Sequence, residues 1–156
     1  DNKEGALGLR VTRALEHPAT QPEIFTDASG KATEVAVLNN EGVTGAYLTS
    51  EGKAGDAAWG TRGRWNMLSG TIDGGPVTVA ILDHPSNAGY PTYWQARGYG
   101  LFAANSLGRK VFDKSQDEMK LELAPGKSTT FRYRVLVLDS KPTATQIEEE
   151  FKAFAR

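Results

Sequence analysis

Cysteine is absent from the 156 residues, and histidine is limited to His17 and His84. The first absence removes thiol nucleophiles, thiolate metal sites and disulfides together. The second leaves too few imidazoles for a multi-histidine zinc centre, so neither a metal nor a cofactor is expected. A basic excess is lacking as well. Lys and Arg number 18 against 19 Asp and Glu, and a net charge of −1 argues against a dedicated nucleic-acid binder. No apolar run approaches the roughly 20 residues that span a bilayer. Walker, G-x-S-x-G and H-E-x-x-H motifs are missing, and Gly98 and Gly100 fall inside a strand pattern rather than before a helix, which sets aside a dinucleotide fingerprint.

What is present is punctuation: 17 glycines and 7 prolines divide the chain into short runs that read as strands. In residues 6–16, Leu7, Leu9 and Val11 alternate with Arg10 and Thr12. Residues 33–42 and 43–52 are further candidates, each closed by a Gly-containing turn. Residues 64–84 read as a hairpin turning at Asp73-Gly74-Gly75, and residues 92–105 as one strand weakened by Gly98 and Gly100. Residues 118–140 read as a second hairpin turning at Pro125-Gly126-Lys127. The end of its second arm, 135–138, is apolar on both faces and is expected to be covered on both.

After Pro142 the period changes. Thr143 and Gln146 stand at capping-box spacing, and Ile147, Phe151 and Phe154 follow at helical spacing. Many short strands and one helix predict an all-β, antiparallel β-sandwich with a single C-terminal α-helix over 143–156. The chain then forms a single sandwich domain, 1–156, or the C-terminal half of a larger one. The Gly-rich stretch 50–63 reads as a loop, the segment most expected to move.

Chemistry concentrates in 81–108. Asp83, His84 and Asn87 follow the apolar run 77–82, where a rigid strand gives way to a loop. Asp83 and His84 are neighbours on an extended backbone, so they point to opposite faces and make a poor acid–base pair. On the next strand, Tyr93, Gln95, Arg97 and Tyr99 share one face by alternation. Such a row offers stacking surface and fork-like donors together, the mixture that a sugar requires. Arg10 and Glu4 would complete the site, and Trp65 is either a platform for it or a core residue. In this reading His84 or a carboxylate transfers the proton, Arg97 steadies developing negative charge, and Asn87, Tyr93, Gln95 and Tyr99 bind substrate. The blander reading is a polar network that fixes the sandwich.

The segments "DNKEGALGLRV", "GRWNMLSGTIDG", "VTVAILDHPSNAGYPTYWQARGYGLFAANSLG" and "LAPGKSTTFRYRVLVLD" resemble, in that order, the PmoA-like family of uncharacterised bacterial proteins. A methane oxygenase activity is not implied, because that enzyme's subunit is an integral membrane protein and this chain has no apolar span. What the resemblance implies is a sandwich similar to galactose mutarotase-like sugar enzymes and lyases, in a periplasmic or secreted protein of polysaccharide-degrading bacteria. It also implies a carbohydrate-type ligand and, for an enzyme, glycoside hydrolase, lyase or epimerase-like chemistry. Family members commonly carry His where this chain has Gln95, which favours the alternative of a non-catalytic binding or interaction module. The family domain is longer, so Asp1 is expected to be an internal start, with a companion N-terminal segment or a second copy as partner.

Overall fold

The computed structural model describes residues 1–3, 5–22, 24, 31–32 and 35–156. Seven strands among them form two antiparallel sheets. One holds β1 (Leu7–Arg10), β6 (Leu101–Asn105) and β5 (Tyr93–Ala96), in that order. The other is ordered β2 (Ala46–Thr49), β3 (Trp65–Ile72), β4 (Gly75–Asp83) and β7 (Tyr133–Leu138). A short helical turn, α1 (Arg109–Phe112), follows β6, and α2 (Ala144–Phe154) ends the fold. The architecture is the expected one: all-β, antiparallel and sandwich-like, with one C-terminal helix.

The β3–β4 hairpin is the backbone of the larger sheet. Ile72 pairs with Gly75, so Asp73 and Gly74 alone make the turn. Both have positive φ, 49° and 80°. This is the two-residue hairpin geometry that matches strand twist and that Asp-Gly favours.

Alternation along these strands builds two cores. Leu68, Val79 and Ile81 face the smaller sheet and meet Trp94, Ala96, Phe102 and Ala104 there. Trp65, Met67, Ala80 and Leu82 face the other way, onto Ile147 and Phe151 of α2. The central strands are thus covered on both sides, which is why they read as continuous apolar runs. Helix α2 begins as its sequence predicts: Gln146 donates its backbone N–H to the Thr143 hydroxyl, and its side chain accepts from the Thr143 N–H, a reciprocal cap.

Four expectations are corrected. Strand β7 is an edge strand covered on one side only: Leu136 and Leu138 pack beneath α2, whereas Val135 and Val137 are 40% and 72% exposed. The three-stranded sheet does not reach over them. In the 118–140 hairpin the turn forms, Lys127 N–H donating to Ala124 C=O, but 119–132 carry no strand. Nor is there a strand among the described residues of 33–42, where Val35 and Val37 are exposed. The loop 50–63 is held down, not loose: Trp94 exchanges backbone bonds with Gly60 and Thr61, and Gly63 donates to Thr92 C=O.

Phe151→Ala should cost about 3–5 kcal/mol, the usual toll for emptying a core aromatic site. Val137→Ala should change stability by less than about 0.5 kcal/mol, as at an exposed position. Urea unfolding of both variants checks the pair. A Val137 loss as large as that of Phe151 would restore the doubly covered β7.

Candidate functional site

The predicted row does not survive as a row. Strand β5 ends at Ala96, and the chain turns through residues 97–100: Gly100 N–H donates to Arg97 C=O and Arg97 N–H to Leu101 C=O. Gly100 takes φ 86°, a conformation an L-side chain rarely adopts. The segment 92–105 is therefore a hairpin, β5–turn–β6, with Tyr99 at its tip.

Tyr93 and Gln95 do share the outer face of the smaller sheet, since Trp94 and Ala96 point into the core. That face is covered, leaving them 6% and 9% exposed. Tyr93 stacks on Phe112 of α1 at 5.1 Å and carries the Arg62 guanidinium over its ring. Gln95 spends its amide N–H on Lys3 C=O. Neither is available to a substrate. Glu4 lies outside the described residues. Arg10 holds the hairpin tip, donating to Tyr99 C=O at 3.0 Å and lying over the Tyr99 ring. Trp65 is a core residue, its indole N–H donating to Glu148 of α2 at 2.7 Å.

His84 and Asn87 belong to a different place. The His84 Nδ1 accepts from Ser86 N–H, and its ring meets Phe154 of α2 edge-on at 5.0 Å. Asn87 acts as a surrogate peptide: it accepts from Arg132 N–H and donates to Arg132 C=O, both at 2.6 Å. The same amide donates to Asp83 at 2.7 Å, and the other Asp83 oxygen accepts from Thr92 N–H at 2.8 Å. This corner sits at the start of β5. Arg97 is at the other end, five residues and about 16 Å of extended chain from Thr92. The expectation that His84 rims the Arg97 site is therefore wrong, and Asn87 is buried with both amide N–H groups committed to Asp83 and Arg132.

Arg97 and Tyr99 instead line a cavity of about 320 Å³ with Arg13, Glu16, His17, Asn39 and Asp56. His17 is fixed within it. Its Nδ1 lies 3.0 Å from Gly45 C=O, and a carbonyl can only accept, so the proton sits on Nδ1. Nε2 is left facing Asp56, whose Oδ1 is 3.7 Å away. The imidazole seats against Gly55: a Cβ there would come within 2.9 Å of Nε2, and φ of 56° further disfavours any side chain. Arg13 pairs with Glu16 at 3.4 Å and bonds the Asn39 side chain at 3.1 Å.

Arg97 is held differently. Its guanidinium lies over the Trp59 ring at 4.5 Å, and no carboxylate of the described residues is within ion-pair distance. Its C=O accepts from the Tyr47 hydroxyl at 3.2 Å. Burial, then the Glu16 charge, push that phenol above its usual range, so Tyr47 stays a neutral donor and anchors the turn. Sequence reasoning missed His17, Asp56 and Trp59. The available signals were an isolated Trp in a polar Gly-rich loop and the second His-Pro pair, His17-Pro18.

The Asp83 corner gives a pH test. With no exposed surface, Asp83 is pushed up to about 6 by burial, against the Asn87 and Thr92 hydrogen bonds and the Arg62 charge, which lower it. The folded state thus holds this proton more tightly than the unfolded chain. The contribution is full below about pH 4 and is lost as pH rises through about 6. Relative to Asp83→Asn, the wild type should lose up to about 3 kcal/mol between pH 4 and 7, at about 1.36 kcal/mol per pKa unit. Urea melts across that range check it, and a difference flat in pH would contradict it.

Among the described residues no helix is long and apolar enough to cross a membrane. Neither a curated protein nor a solved structure matches the chain. A family model does match, over residues 1–152, and the chain belongs to that family, DUF6807, a family of unknown function.

Proposed function

We propose that this protein binds a carbohydrate-type small molecule in the pocket between His17 and Tyr99. The observation that carries the reading is the lining itself. At about 320 Å³ the cavity falls at the low end of the roughly 300–1,000 Å³ range of small-molecule sites. It offers a half-exposed aromatic ring, a guanidinium and an imidazole, with Pro18, Ala19 and Val43 as apolar wall. Rings with hydroxyls need stacking surface and directional donors together, and those are what this pocket presents. The resemblance to the PmoA-like family supports the same ligand class and a periplasmic or secreted setting. The uncovered Val135 and Val137 of β7 support a protein partner there, a second copy or a companion segment.

A second reading, acid–base catalysis on the bound sugar, is favoured by His17. With its Nδ1 proton committed to Gly45 C=O, Nε2 is the nitrogen that takes or gives a proton in the pocket. Asp56 stands where it would stabilise the imidazolium that results. His17 then takes the role the sequence suggested for His84, and Arg97 keeps its role of steadying negative charge.

Calorimetric titration with a panel of mono- and oligosaccharides tests the binding. Tyr99→Ala with His17→Ala should weaken it at least about tenfold, and His84→Ala should leave it unchanged. If the wild type turns the ligand over, His17→Ala should lower the rate by about 10²–10⁴, the usual span for a general acid or base. A ligand whose affinity follows His84 and ignores Tyr99 and His17 would move the site to the α2 corner and overturn the reading.

A further inference from the structure

We infer that the sugar this pocket takes is acidic, a uronate-type ring whose carboxylate docks on Arg97. The inference rests on the carbohydrate reading above and adds the charge of the ligand. Of the cavity's two guanidinium groups, that of Arg13 is matched to Glu16 at 3.4 Å. Arg97 alone has no acidic partner among the described residues. It is half-buried, where an unmatched charge loses hydration without compensation.

Its geometry points the same way. The Arg97 Cζ lies 4.5 Å from the centroid of the Trp59 ring, a contact that restrains the guanidinium without using its N–H donors in an ion pair. The planar fork of N–H donors matches the two oxygens of a carboxylate. Cation–π contact holds the group without neutralising it, so its charge remains for a ligand. Glu16 and Asp56 line the same cavity and would repel a second negative charge. A single carboxylate on a hydroxylated ring therefore fits better than a phosphate carrying two charges.

The test compares galacturonate and glucuronate with galactose, glucose, glucose 6-phosphate and acetate. It uses the intact chain, followed by calorimetry and by tryptophan emission. Trp65 and Trp94 are buried and Trp59 is exposed, so a change on binding at Arg97 reports from Trp59. The uronates should bind at least about tenfold more tightly than their neutral counterparts, as a charge-assisted bond would give. Arg97→Gln should collapse that preference to about twofold or less, and Arg97→Lys should retain only part of it. Thermal melting shows whether each variant is folded. If Arg97→Gln is not, the wild-type preference, its weakening by salt and the Trp59 signal decide the matter.

Neutral sugars binding as tightly as uronates, with no Trp59 change, would overturn the acidic inference and leave the carbohydrate reading intact. Tightest binding of the sugar phosphate, or of acetate alone, would also overturn it. Failure of every sugar, neutral and acidic, to bind would sink both.

Discussion

A single buried carboxylate sets how the two sheets meet. Asp83 ends β4 in the larger sheet, yet one of its oxygens accepts from Thr92, the residue that launches β5 in the smaller. Its other oxygen holds Asn87, whose amide clasps both backbone groups of Arg132 next to β7. Buried polar groups cost stability unless satisfied, and here each oxygen has a donor. The cost of burial shows instead in the raised affinity of Asp83 for its proton. Residues 84–92 must close a tight loop around this knot, and β5 then leaves it in one direction.

That direction delivers the site. From Thr92, β5 runs along the edge of the core with Trp94 and Ala96 inward, and it releases the chain at Arg97. The Tyr47 hydroxyl catches the Arg97 carbonyl from the larger sheet, and Trp59 catches its side chain from the 50–63 loop. Both supports are made by residues distant in sequence. Around them Arg13 pairs with Glu16, whereas the Arg97 guanidinium has no carboxylate within ion-pair distance among the described residues. The functional reading follows from that imbalance rather than from any recognisable motif.

Much of the fold was legible because local pattern and tertiary context agree there. The Asp73-Gly74 turn, the Thr143 cap and the spacing of Ile147, Phe151 and Phe154 each carry their own chemistry. Alternation failed where context intervened. It carried the row from Tyr93 through Tyr99 as one strand, but the chain turns after Arg97, and a positive φ at Gly100 is part of that turn. It could not show that α1 and the N-terminal segment cover Tyr93 and Gln95, or that the smaller sheet stops short of Val135 and Val137. The site was half legible. Arg97 and Tyr99 do line it, but both histidines precede proline, so nothing local distinguishes the pocket residue from the one after β4 that packs against Phe154. His17 and Asp56 stand 39 positions apart, and only folding brings them together.

The most direct test watches Arg97 itself. In ¹⁵N-labelled protein, its side-chain Nε–H resonance and the Trp59 indole N–H should both shift as galacturonate is added. The Trp65 and Trp94 indoles, buried in the two cores, should stay in place. Saturable movement of Arg97 and Trp59 together is the result this account predicts. Movement confined to residues around His84 and Phe154, with Arg97 still, would contradict it.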